Sequence, residues 1–199
     1  MEEFMETTPQ IIETARDHHI PGIVAIAEKL KMNPQESEPE KLKKGFLVYT
    51  LDARGYSRRL NEFFVVETSG ERVGGFLMCY DRNFIQSLIE EGQEEHERGI
   101  LNFIQSVEPV ENFVYGGEIG VDPKARQQGI GRKMLERVFA LMRDKGIRRM
   151  YAAILHGPVQ NLTSIAFATA TGAENIGEAR NDDGLLWGLY RWSVSEDGK

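Results

Sequence analysis

Apolar positions along the chain change period several times, and each change marks an element. Between residues 129 and 145, Ile130, Met134, Val138, Leu141 and Met142 recur at helical spacing with Leu135 and Phe139 beside them. That stripe predicts an amphipathic helix, and Gly146 suits its C-cap. Ile11, Ile12 and Ala15 share one helical face, as do Ile23, Ile26, Ala27 and Leu30. Residues 11–18 and 21–30 are therefore predicted helical. Residues 31–44 are polar, with Pro34 and Pro39, and read as a loop or loosely helical connection. A short apolar run, Phe46-Leu47-Val48-Tyr49, lies within 45–50, and 52–61 is polar enough for a short helix. Residues 62–67 and 72–80 are strand runs around a Ser69-Gly70-Glu71 turn, a hairpin pattern.

Residues 81–112 read as mostly helical. Ile85, Leu88, Ile89, Ile100, Leu101 and Ile104 form the apolar side, and Glu90, Glu91, Glu94, Glu95 and Glu97 are assigned to a solvated outer face. Residues 113–121 are a strand, 122–128 a loop and 148–155 another strand broken by His156-Gly157-Pro158. Residues 161–171 form a helix stopped by Gly172, and 185–194 a terminal strand. An antiparallel hairpin ahead of a strand–helix–strand–helix unit predicts a mixed α/β sheet with helices on both faces.

The bulk numbers narrow the class. A 199-residue chain with 41% hydrophobic and 28% charged residues suits one soluble globular domain, here with a helical insertion at about 81–112. A net charge of −7 argues against nucleic acid or an anionic membrane as partner, because both attract basic patches. Cys79 is the single cysteine, so no internal disulfide forms. Residues 1–10 are acidic without an apolar run, and no stretch approaches the roughly 20 apolar residues of a membrane span. The expected location is a reducing one, the cytoplasm. The sequon Asn161-Leu162-Thr163 is taken as chance. His18, His19, His96 and Cys79 offer no zinc spacing, so no metal is expected, and no Gly-x-Ser-x-Gly elbow occurs.

The segment that carries chemistry runs from Ile119 to Leu135: a strand, a polar loop, then a helix opening on Gly129 and Gly131. The first N–H groups of a helix lack internal partners, and the helix dipole adds positive charge there. Glycines leave those N–H groups accessible, so residues 126–132 are predicted to seat a phosphate or pyrophosphate. Lys124, Arg126, Arg132 and Lys133 add positive charge. A nucleotide-hydrolysing loop would want Lys-Ser/Thr after the second glycine, where Arg132 and Lys133 stand. A dinucleotide fold would want three glycines at G-x-G-x-x-G.

Val121-Asp122-Pro123 followed by Arg126-Gln127-Gln128-Gly129-Ile130-Gly131 resembles the acetyl-CoA signature of the GCN5-related N-acetyltransferases, in which Val-x-Pro ends a strand and Gln/Arg-x-x-Gly-x-Gly/Ala opens a helix. Pro158 to Asn161, then Ser164, Phe167 and Gly172-Ala173, resembles the family's following helix, and Val73-Gly74-Gly75-Phe76 its valine–glycine–aromatic strand. The resemblance spans about 63–173. It implies an acyl-CoA N-acyltransferase fold with a mostly antiparallel sheet, and transfer of acetyl from acetyl-CoA, as cosubstrate, to an amine acceptor. It also implies that the pantetheine arm pairs with the backbone of Ile119 and Val121 in a V-shaped cleft, and that Arg126, Gln127, Gln128, Gly129, Ile130, Gly131 and Arg132 hold the phosphates. Gly120 would suit the bulge of this strand, or else be a tight packing site. Asn161, Ser164 and Phe167 would line the cofactor, with Asn161 also a helix N-cap.

Under the same resemblance a base must deprotonate the ammonium acceptor. Glu118 is the first candidate and His156 the second. Many relatives place a tyrosine acid where Ala168 stands, which leaves Tyr115, Tyr151, Tyr190, Ser164 or water to protonate the leaving thiolate. Ala168 also supports an alternative, an acetyl-CoA-binding sensor or regulatory module without turnover. The acceptor is expected to be chosen by residues 31–60 and 81–112, and related folds imply a homodimer as one assembly.

Overall fold

The structure is a computed structural model describing residues 9–34, 45–91 and 95–195. Its elements are β1 (Gln10–Thr14), α1 (Ile20–Leu30), α2 (Ala53–Ser57), β2 (Val65–Ser69), β3 (Arg72–Asp81), α3 (Arg82–Glu90) and α4 (Glu95–Val107). There follow β4 (Val114–Val121), α5 (Ile130–Asp144), β5 (Arg149–Gly157), α6 (Leu162–Ala170), β6 (Glu174–Arg180) and β7 (Leu186–Ser193). The seven strands are ordered β1-β2-β3-β4-β5-β7-β6. All neighbours are antiparallel except β4 and β5.

The alternation of β3 organises the core. Phe76, Met78 and Tyr80 point to one face, where they meet Ile23 and Ile26 of α1, Tyr56 of α2, Ile85 of α3 and Ile104 of α4. Leu77 and Cys79 point to the other, against Ile130, Met134, Val138 and Met142 of α5. A strand buried on both faces must be apolar at both parities, and β3 is. Asp52 and Asp81 accept the amides of Gly55 and Phe84, capping α2 and α3.

Three expectations change. Residues 11–18 are not a helix: Gln10–Thr14 pairs with β2 in register Ile12↔Glu67, and Asp17–His19 is a single 3-10 turn. Ile12 faces the core while Ile11 stays 52% exposed, so two adjacent isoleucines mimicked a helical face. Strand β6 was not anticipated because Glu174–Arg180 carries almost no apolar alternation; its extended form comes from pairing with β7. Strand β5 continues through His156, where it bulges against β7. The connection predicted over 31–44 lies outside the described residues from 35 onward.

Candidate active site

Strands β4 and β5 pair only at Val114↔Met150 and Tyr115↔Tyr151. Beyond them β4 follows β3 to Val121 and β5 follows β7 to Gly157, so the two part and a wedge opens. An extra residue in β4, between the pairs Met78↔Glu118 and Cys79↔Gly116, marks a bulge at Gly117. A Cβ at Gly117 would sit 3.1 Å from the Tyr80 Oη. The expectation of a bulge at Gly120 is therefore corrected: Gly120 pairs regularly with Phe76, and a Cβ there would meet the Phe76 ring at 2.5 Å. It is the packing site. The Asp122 amide donates to the Gly74 carbonyl of β3. By strand alternation Gly120 also turns its backbone groups to β3, while Ile119 and Val121 turn theirs to the wedge.

At the end of β4 the chain is pinned before it enters α5. Asp122 is buried; its carboxylate accepts the Lys124 amide at 2.9 Å and faces Lys29 and Arg72 at 3.2 Å each. Burial alone would raise its pKa, but these donors hold it below the ordinary carboxylate value. Gln127 and Gly129 both adopt left-handed backbone, at φ 66° and 72°. The first helical amide to find an intrahelical carbonyl is that of Lys133, bonded to Gly129, which leaves the amides before it open. A Cβ at Gly129 would have nothing within 4 Å, so the space above these amides is clear. Such a loop of N–H groups at a helix start fits a diphosphate. Arg132 and Lys133 turn elsewhere: Arg132 donates to the Ala170 carbonyl at the end of α6, and Lys133 to Gln10. The seat is built from backbone more than from cationic side chains.

Helix α6 closes the same side. Asn161 caps it by accepting the Ser164 amide at 3.3 Å and donates to the Phe46 carbonyl at 2.9 Å. Its amide is thus committed to the helix start and to the 45–47 segment, the helix-cap reading. The Phe167 ring lies beside Gly131 and packs in one cluster with Ile119 and Ile130. Ser164, one turn earlier, shares its face of the helix.

Glu118 stands on the opposite face of β4, toward α1 and α2. Its Oε2 accepts the hydroxyl of Tyr56 at 2.7 Å. Burial pushes the carboxyl up to about 7, against the lowering influence of the Tyr56 hydrogen bond and the Arg59 charge. Tyr56 is fully buried and raised well above its ordinary value, so it remains a neutral donor. His156 is not near this group. Its Nδ1 lies 2.6 Å from Glu178, its Nε2 3.1 Å from the Tyr190 hydroxyl, and its ring sits over Gly188, on the face of the sheet that carries α5 and α6. Of the hydroxyls considered as acids, that of Tyr151 is bonded to Glu108 and that of Tyr190 to His156, while Tyr115 packs beside Tyr80 in the core.

Sequence reasoning missed Tyr56, Arg59 and Glu97. Tyr56 lies 62 residues from Glu118, and no spacing connects them. Glu97 was placed on a solvated face but is 1% exposed and bonded to Arg59. Its signal was present: Glu97, Ile100, Leu101 and Ile104 fall on one helical stripe. Among the described residues no cluster of His, Cys, Asp and Glu could hold a metal, and no helix is long and apolar enough to cross a membrane.

The model of the acetyltransferase (GNAT) family matches residues 23–173. No curated protein matches the sequence. Solved structures with a similar fold include the ribosomal-protein-S18-alanine N-acetyltransferase from Escherichia coli, at 13% identity and TM-score 0.60 over 94% of this chain and 95% of that one. Ard1 from Thermoplasma volcanium aligns at 14% identity and TM-score 0.63, covering 94% and 99%. The Drosophila melanogaster polyamine N-acetyltransferase aligns at 13% and 0.63, covering 94% and 100%. With more than half of its length matched and the sheet, wedge and amide-lined helix start in the expected order, this chain belongs to the GNAT acetyltransferase family.

Proposed function

We propose that this protein transfers acetyl from acetyl-CoA to a primary amine of a small molecule or peptide, with Glu118 as general base. The observation that carries the reading is the placement of β4. Its open edge joins the amide-lined start of α5 at one end to the half-buried Glu118, held by Tyr56, a few residues away.

When bound, acetyl-CoA supplies an acyl group already activated as a thioester. The amides of residues 129–132 hold the diphosphate, with Arg126, Gln127 and Gln128 around it, and the backbone of Ile119 and Val121 holds the pantetheine as an added strand would. Phe167 and Ile130 form the apolar floor that excludes water. At neutral pH an amine arrives as ammonium. A carboxyl poised near 7 is a suitable acceptor for that proton, directly or through one water. The freed amine then forms the C–N bond to the acetyl carbon, the C–S bond breaks with its electron pair going to sulfur, and the thiolate leaves while the nitrogen gives up its second proton. The Ile119 N–H, facing the wedge beside the bulge, stabilises negative charge on the acetyl oxygen. Tyr56 keeps the carboxylate oriented by donating to it. Ser164 or water relays that proton to the thiolate, since Ala168 is buried and has no proton to give.

The acceptor class follows from this base and from what similar folds act on: a ribosomal-protein alanine in one, a polyamine in another. The test has two stages. Calorimetry of acetyl-CoA should give micromolar binding that Gly129→Asp weakens. Thiol release with acetyl-CoA and a panel of agmatine, spermidine, tryptamine and an unblocked peptide should then identify at least one acceptor. Silence of acetyl-CoA in calorimetry sinks the reading; binding without thiol release across the panel favours the non-catalytic module.

A further inference from the structure

The two helices between β3 and β4 do more than cover the sheet. Arg59, directly after α2, is 6% exposed and Glu97, in the first turn of α4, 1% exposed. Their side chains meet at 2.5 Å, Nη2 to Oε1. The same guanidinium donates through Nη1 to the Gly55 carbonyl at 3.2 Å. Gly55 is the residue before Tyr56, and Tyr56 holds Glu118. A second tie, Arg58 to Glu91 at 2.7 Å, joins the same turn to the end of α3. A helix of five residues cannot hold its own position, so α2 takes it from these partners.

We propose that Arg59 is a positioning residue for Glu118, and that the α3–α4 pair is a working part of the site because its Glu97 anchors Arg59 under α2. The proposal rests on Glu118 as the base but concerns a different residue. Two consequences follow. Arg59 fixes the height of Tyr56 against the carboxylate. It is also the buried cation that faces the site: around Glu118 stand Tyr56 from α2, Tyr80 from β3 and Tyr115 from β4, with Glu28 of α1 beyond Tyr56 and Glu97 of α4 beyond Arg59. Beside the Tyr56 hydrogen bond, the Arg59 charge is what favours the ionised carboxylate there. The cost of burying a charge explains why Glu97 must accompany it. An isolated surface arginine would be screened and could not act this way.

The pair is tested without knowing the acceptor. In protein labelled with carbon-13 at the glutamate side-chain carboxyl, the Glu118 Cδ resonance is assigned by its loss in Glu118→Gln and followed with pH. Replacing the pair by Arg59→Met with Glu97→Met should move the titration midpoint to higher pH, with acetyl-CoA affinity unchanged. Arg59→Lys, which keeps the charge, should hold the midpoint near that of the parent. Should the double variant fail to fold, Arg59→Gln carries the same expectation as the Met pair. An unchanged midpoint in a folded variant lacking the Arg59 charge overturns the proposal. Thiol release by Glu118→Gln at the parental rate would instead sink the base assignment, and the midpoint would still report on Arg59.

Discussion

At the scale of single residues, the pH behaviour is expected to follow Glu118, the proposed base. A base must be deprotonated, so kcat/KM should rise with pH to a plateau above about 7. Glu118→Gln should lower kcat/KM by about 100-fold or more and leave the acetyl-CoA Kd within twofold or so. The same carboxyl costs stability. Its pKa rises from an ordinary 4.5 to about 7, so the folded state binds the proton more tightly than the unfolded chain does. Stability therefore falls as pH climbs between those values. Glu118→Gln should be more stable than the parent at pH 8 by on the order of 1–3 kcal/mol, with the difference fading toward pH 4, as read from denaturant melts at both pH values. Gly129 gives a second residue-level prediction. Gly129→Asp should weaken acetyl-CoA at least about tenfold by calorimetry, because a carboxylate enters the phosphate seat. Gly129→Asn, neutral and tolerant of left-handed backbone, should lose much less. Equal losses would mean that backbone strain, not charge, is responsible.

At the scale of elements, β4 holds the design. Its alternation places Ile119 and Val121 backbone groups toward the wedge and those of Gly120 toward β3. Hydrogen exchange should therefore slow at the Ile119 and Val121 amides when acetyl-CoA is added, and change little at Gly120. Slowing at Gly120 alone would reverse the assumed phase of the strand. Gly120 has a different duty, which is to let the Phe76 ring lie across the strand. Gly120→Ala should destabilise by about 1–3 kcal/mol in thermal or chemical melts, since the ring must move. The elements themselves were unequally legible. The stripe of α5, the hairpin of β2 and β3, and α6 between its glycine and proline were plain in the pattern. Strand β1 was not, since a short edge strand with one inward isoleucine has the same spacing as a helix face. Strand β6 is polar and is made a strand by its neighbour.

At the scale of the whole molecule, a ligand that binds only the folded state stabilises it by mass action. At 100 times its Kd, acetyl-CoA should add about 2.7 kcal/mol, a rise in Tm of roughly 5–10 °C for a chain of this size. Scanning calorimetry would show it, and CoA should act similarly if the phosphates and pantetheine supply most of the contact. The candidate site spans distant parts of the chain: Tyr56 and Arg59 from α2 and the turn after it, Glu97 from α4, Glu118 from β4 and Phe167 from α6. The proposed phosphate seat and pantetheine edge were readable because a helix start and its glycines are local; their groups lie between residues 119 and 132. The acceptor side was not, because burial decides its chemistry.

The sequence by itself determined the order of elements from α1 to α6, the amide-lined start of α5 and the candidacy of Glu118, since these rest on local periodicity, on backbone N–H groups a helix start leaves open, and on one motif. Tertiary structure alone decided that His156 and Glu118 lie on opposite faces of the sheet, that the bulge falls at Gly117, and that Glu97 is inside with Arg59. The physical reason is that proton affinity and packing depend on what surrounds a side chain. Those surroundings are set by strand pairing and helix docking across tens of residues, which no local pattern records.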